Sequence, residues 1–207
     1  TAAGSFSFLD GLSLVAARGQ AMAAAAGSAA SGMAALIGAD AAAAESIAAA
    51  RRADDGNLWV ANINAPGQIV VAGGVADIEW VVATARELGV RRAIPLKVAG
   101  AFHSPYMESA TVALEAALSA VSIAPPAFPV WANVTAAPHL EAPVGALLEQ
   151  LTGTVRFSDS LVAMAHQGVG TFVHVGPGDV TAGLAKRSVE GTEPVVVSSL
   201  EDVDAAA

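Results

Sequence analysis

Two side chains stand out for the chemistry they could do. His103 lies in the stretch Gly100-Ala101-Phe102-His103-Ser104, which reads as the end of a strand running into a helix, where α/β folds place their sites. An imidazole there can accept and return a proton near neutral pH. A satisfied surface or core histidine would fit the same position. Arg18 stacks with Leu14 and Met22 at i, i+4 spacing on one helical face. A guanidinium on an otherwise apolar face needs an anion, and a carboxylate held in its fork would form two parallel charge-assisted hydrogen bonds. A structural ion pair, or a side chain reaching out from the rim, would satisfy the same spacing.

The nucleophile is missing from this set. No Gly-x-Ser-x-Gly elbow occurs, although Ser-His chemistry on an α/β fold calls for one. Gly11-Leu12-Ser13-Leu14-Val15 comes nearest, but Val15 stands where a small residue is needed, and the segment reads as a helix. His139, His166 and His174 have no metal-ligand spacing with one another or with carboxylates, and there is no cysteine. Neither a metal site nor thiol chemistry is therefore expected. Gly176-Pro177-Gly178 precedes a helix and could face an anion, but it lacks the lysine and spacing of a P-loop.

The elements that must position these groups follow from periodicity. With 54% hydrophobic and 14% charged residues the chain has ample material for a core, and no apolar run is long enough to span a bilayer. A net charge of -9 argues against a nucleic-acid partner, and the absence of cysteine fits a cytoplasmic enzyme. A helix is expected over 10–26, capped by Asp10, then a Ser/Gly/Ala linker to Gly32. Strands over 33–37, 58–63, 68–72 and 92–98 alternate with helices over 41–52 and 76–88. That βαββαβ order predicts a ferredoxin-like unit over 32–98. Residues 1–31 and 99–207 read as an α/β large subdomain that the chain leaves and re-enters. Its helices are expected over 105–121, 144–151, 158–167 and 181–189, and its strands over 130–134, 171–175 and 195–199.

Four segments together carry a family resemblance: Val15-Ala16-Ala17-Arg18-Gly19, Asn62-Ile63-Asn64-Ala65-Pro66-Gly67-Gln68, Gly100-Ala101-Phe102-His103-Ser104, and Val175-Gly176-Pro177-Gly178 through Leu184-Ala185-Lys186-Arg187. In this order the chain resembles the malonyl-CoA:acyl carrier protein transacylases of fatty acid synthesis and the acyltransferase domains of polyketide synthases. The resemblance implies a hydrolase-like parallel-sheet large subdomain, incomplete here, with the ferredoxin-like unit inserted. It also implies an elbow serine a few residues upstream of Thr1, so the chain is expected to be a fragment, inactive alone. His103 matches the histidine that takes the serine proton, and Arg18 the arginine that clamps the free malonyl carboxylate. Gln150 matches a glutamine whose backbone carbonyl orients that histidine. Asn64 matches an asparagine near the acyl pocket, or serves as a turn residue before Pro66-Gly67. Phe102 matches the bulky residue of malonyl-selective members. Malonyl-CoA and acyl carrier protein are the implied partners, and no cofactor is implied beyond the phosphopantetheine that the carrier brings. A non-catalytic carrier-binding module of the same fold, or an unrelated α/β hydrolase, are the competing expectations.

Overall fold

The computed structural model describes residues 1–206, with side chains through residue 203. Ala207, the last residue of the large subdomain as read from sequence, lies outside the described residues. Helix α1 spans Phe8–Gly27. Its cap is Ser7, whose Oγ accepts the Asp10 N–H at 3.1 Å and donates to Asp10 Oδ2 at 2.6 Å. Asp10 therefore sits inside the first turn, where its charge favours the helix N-terminus, and is not the cap itself.

The next segment builds a four-stranded antiparallel sheet from β1 (Ser31–Ile37), β2 (Leu58–Ala65), β3 (Gln68–Gly74) and β4 (Arg92–Pro95), in the order β2-β3-β1-β4. Helices α2 (Ala41–Ala53) and α3 (Val75–Thr84) supply the two crossovers, the pairing of a split βαβ unit. Asp40 caps α2 by accepting the Ala43 N–H at 2.7 Å, and Arg51 and Arg52 occupy its last turn, where cations suit the helix dipole. One face of the sheet buries Leu36, Leu58, Ile69 and Val71 under these helices, together with Ile47, Ile78 and Val81. Met33, Ala35, Val70 and Ala72 line the opposite face.

Several boundaries differ from those the sequence suggests. β1 takes in Ser31 and Gly32, which read as linker, because Ser31 and Gly32 pair with Gly74 and Gly73. β2 runs through Asn64 to Ala65, so the turn shrinks to Pro66-Gly67, with Gly67 at φ +71°. Pro at the first central position and a left-handed Gly at the second suit a type II turn. α3 stops at Thr84, whose Oγ1 bonds back to the Trp80 carbonyl, an arrangement that tends to bend helices. β4 stops at Pro95, although Leu96 still donates to the Met33 carbonyl of β1 at 2.9 Å.

After β4, a short 3-10 turn over Pro105–Met107 leads into α4 (Glu108–Ser119), which packs on α1 around Leu14, Met22, Met107, Leu114 and Leu118. Strands β5 (Val130–Ala132) and β6 (Ala137–His139) form a hairpin. The sequence reading misses β6, since Pro138 in its middle argues against a strand, and the hairpin accommodates it as an isolated two-stranded ribbon. Helices α5 (Val144–Glu149) and α6 (Phe157–His166) follow, then β7 (Val173–Val175), α7 (Val180–Ser188), β8 (Val195–Val197) and α8 (Leu200–Ala206). β7 and β8 pair in parallel around α7. No helix among the described residues is long and apolar enough to cross a membrane.

Candidate active site

Beyond β4 the chain crosses the open face of the sheet, and buried contacts fix its path. Ala101, fully buried, donates its N–H to Ser31 Oγ at 3.1 Å. Ser104, also fully buried, donates its hydroxyl to the Ala101 carbonyl at 2.5 Å, and its Oγ accepts the Tyr106 N–H at 3.4 Å. Gly100 abuts α1 so closely that a Cβ there would lie 2.7 Å from Ala26 Cβ. Held between these neighbours, His103 takes φ +57°. A non-glycine residue in this region costs on the order of 1 to 3 kcal/mol and persists only where its surroundings over-determine it.

In that conformation His103 Nδ1 lies 2.9 Å from the Gln150 carbonyl oxygen. A carbonyl can only accept, so Nδ1 carries the proton and Nε2 of the neutral ring keeps its lone pair. Gln150 follows α5 as its C-cap, where carbonyls lack helical partners and remain free to accept. Its side-chain Nε2 donates to the Gly153 carbonyl at 2.9 Å, which steadies the loop. The same loop runs on to close the outer edge of β2. Val155 donates to the Ala61 carbonyl and accepts from Ile63, both at 2.8 Å, and Thr154 Oγ1 donates to the Val60 carbonyl at 2.7 Å. One segment thus holds both the histidine and the strand facing it.

His103 opens on a cleft of about 350 Å³. Arg18, Asn62, Asn64 and His103 are its polar residues; Met22, Met33, Val70, Leu96 and Phe102 form the apolar remainder. A depression of about 370 Å³ on another side of Arg18 is lined mainly by Phe6, Phe8, Leu14 and Leu118 and excludes His103, so the histidine faces only the first of the two. Arg18 is half-buried and, among the described residues, takes part in none of the ion pairs, which belong to Arg51, Arg52, Arg156 and Lys186. The structural ion pair that its spacing left open is therefore not formed. Burial pushes the Arg18 guanidinium below its ordinary value. Burial likewise lowers His103; the bond to the Gln150 carbonyl opposes this, and the nearby Arg18 charge adds to the lowering. The net result favours a neutral imidazole, the form that can accept a proton.

The structure places Asn64 in β2, two residues before Pro66, where a register shift between Ile63 and Ala65 leaves it unpaired. Asn64 lines the cleft. Phe102 packs between the α1–α4 core and the open face of the sheet. Asn62 also lines the cleft, and sequence reasoning passes it over. The signal is there: residues two apart on a strand share a face, so Asn64 implicates Asn62. Among the described residues no three His, Asp or Glu side chains converge as a metal-binding group.

The chain matches the family described as acyl transferase domain over residues 1–201. It is 38% identical to the malonyl CoA-acyl carrier protein transacylase of Bacillus subtilis, covering 99% of this chain and 65% of that protein. The crystal structure of an acyl-carrier-protein S-malonyltransferase from Bartonella henselae superposes with a TM-score of 0.92 at 37% identity, over 99% of this chain and 66% of that one. A structure of a type II polyketide synthase acyl carrier protein in complex with its malonyl-transacylase matches with a TM-score of 0.91 at 30% identity, again over 99% and 66%. The chain thus spans slightly less than two thirds of the length of these relatives.

Proposed function

The chain belongs to the acyl transferase domain family, and from that membership we propose that it forms part of an enzyme moving a malonyl group from malonyl-CoA to the phosphopantetheine thiol of an acyl carrier protein, in fatty acid or polyketide synthesis in the cytoplasm. The carrying observation is the pairing, in one cleft, of a histidine with a free Nε2 and an arginine with no partner of its own among the described residues. A proton acceptor beside an unpaired guanidinium suits a thioester whose acyl group ends in a carboxylate.

In this reading a serine, in a part of the family fold that this chain does not span, attacks the thioester carbonyl while His103 Nε2 takes its proton. The tetrahedral intermediate collapses, the C–S bond breaks, and the proton passes to the departing CoA sulfur. The carrier thiol then attacks the seryl ester, giving its proton to His103, which returns it to the serine oxygen. The Gln150 carbonyl holds the Nδ1 proton in place and stabilises the imidazolium that forms at each step. Arg18 binds the malonyl carboxylate in its fork and is left unpaired against acetyl groups. Asn64 borders the acyl group, and the bulk of Phe102 crowds an α-methyl branch. No bound cofactor enters the scheme.

The test is acyl selectivity in the complete enzyme. Charge-assisted hydrogen bonds contribute about 1.5 to 3 kcal/mol each, so losing two in Arg18→Ala lowers kcat/KM for malonyl-CoA by about 10² to 10⁴, with acetyl-CoA much less affected. An equal fall for both substrates would refute the clamp. Loss of all transfer in His103→Ala is expected alongside.

A further inference from the structure

Leu58, Val60 and Ile63 of β2 pack into the core beneath α2 and α3, whereas Ala61 lies on the opposite face of the sheet and Asn62 and Asn64 line the cleft there. Strict alternation does not give this distribution. Counted by twos from Leu58 and Val60, a regular strand would send Asn62 and Asn64 under the helices and turn Ile63 to the cleft, because a slip of one residue exchanges the faces. The exchange is made at Ala61, which the ladder skips: Val60 pairs with Val71 and Asn62 with Val70. An extra residue of this kind is a β-bulge, and bulges re-aim side chains. The outer side of β2 shows what holds it. Carbonyls of successive residues point to opposite sides in a regular strand, yet those of Val60 and Ala61 are both taken by one segment. Thr154 Oγ1 donates to the first at 2.7 Å and the Val155 N–H to the second at 2.8 Å. Val155 also accepts the Ile63 N–H at 2.8 Å. The two Val155 bonds are backbone bonds that almost any residue could make; the Thr154 bond needs a hydroxyl.

We infer that Thr154 is a positioning residue of the cleft: its hydroxyl fixes the bulge at Ala61, and the bulge turns Asn62 and Asn64 to the side on which His103 lies. Its bearing on transfer rests on the acyl-transfer reading, in which Asn64 borders the acyl group. Thr154 does not line the cleft, so it acts through the backbone of β2. A bulge disrupts the ladder locally, and on an edge strand without an outer partner the extra residue is free to shift along the chain, carrying the carboxamides with it. Each carboxamide has a donor end and an acceptor end, so its orientation decides which group of a bound molecule it can meet. Thr154 lies four residues beyond Gln150, whose carbonyl holds His103, and an effect relayed through that carbonyl must be told apart from one relayed through β2.

Thr154→Val, which keeps the shape and removes the hydroxyl, is compared in the complete enzyme with Thr154→Ser, which keeps the hydroxyl. Thr154→Val should lower kcat/KM for malonyl-CoA about three- to tenfold, the worth of one neutral hydrogen bond, while Thr154→Ser stays within about twofold of the parent. In an Asn62→Ala/Asn64→Ala background the Thr154→Val effect should shrink to within about twofold, the scatter of independent sites. The midpoint of the pH–rate profile, which reports His103, should not move. Unchanged kcat/KM in Thr154→Val, an undiminished effect in the Asn62→Ala/Asn64→Ala background, or a shifted midpoint would each overturn the inference. The side-chain amide signals of Asn62 and Asn64 are followed as well, by NMR of protein carrying isotope-labelled asparagine. Thr154→Val should displace both and Thr154→Ser neither; unmoved signals in Thr154→Val would sink the positioning role. Displaced signals sustain it even if malonyl transfer fails in the parent, so the two readings fail separately.

Discussion

Gly100→Ala probes how the backbone holds His103. The added methyl would sit 2.7 Å from Ala26 Cβ, 3.0 Å from Ala26 Cα and 3.2 Å from Ser31 Oγ. The first two of these atoms belong to the body of α1, which is braced behind by Leu114 and Met107 and cannot give freely. Overpacking of this kind costs about 1 to 3 kcal/mol. In a chain of this length each kcal/mol moves the thermal midpoint by about 2 to 4 °C, so a fall of about 2 to 12 °C is expected by calorimetry. The strain also bears on Ser31 Oγ, which accepts the Ala101 N–H, and so should reach His103 two residues on. Ala26→Gly removes one side of the clash at about 1 kcal/mol of helix propensity. In the double variant the two losses should fall short of additive by about 1 kcal/mol, beyond the roughly 0.3 to 0.5 kcal/mol scatter of independent sites. Relief stays partial because the new methyl still presses on the α1 backbone at position 26. An unchanged midpoint in Gly100→Ala, or strict additivity in the pair, would refute the claim that this close approach sets the path of the loop.

In an NMR titration the His103 ring should protonate below the ordinary histidine value, because burial outweighs the Gln150 carbonyl bond; a midpoint at or above that value refutes the assignment. A lowered folded pKa also means that stability linked to His103 is present above the ordinary value and is lost as pH falls through the folded one, so the urea midpoint should drop across that acidic window, less so in His103→Gln. Asp77 is buried, accepting Arg51 Nε at 2.7 Å and the Asn57 N–H at 3.0 Å. Since Arg51 keeps a quarter of its side chain exposed, Asp77→Ala should cost about 2 to 4 kcal/mol in urea unfolding, towards the lower side of broken buried pairs. Phe102→Ala in the complete enzyme should raise the methylmalonyl-to-malonyl ratio of kcat/KM by about 10-fold or more, the worth of one methyl group in a pocket.

Much of the small unit could be read without coordinates, because its signals are local. The alanine-rich run over 41–52 and Pro66-Gly67 between two apolar runs each act within a few residues. The order of strands and helices followed from them, and His103 attracted notice through its position at a junction. Arg18 was legible as a problem, a charge on an apolar face, though not as a solution. The reading slipped at two places: β6 carries Pro138 in its middle, a poor strand signal, and α3 ends at Thr84 where the apolar spacing runs on to Leu88.

What only the tertiary structure decided depends on residues far apart in the chain. The family resemblance names Gln150 as the residue that orients His103, but the 2.9 Å contact that sets the tautomer, across 47 positions, exists only in the fold. The need for glycine at position 100 comes from Ala26 across the packed face of α1, and the left-handed backbone of His103 follows from being pinned on both sides. That Arg18 holds no carboxylate among the described residues could be established only once the carboxylates had places. A sequence specifies which groups can titrate, donate or repel, because those are properties of side chains. Tautomer, strain and pairing are properties of distances, which exist only after folding.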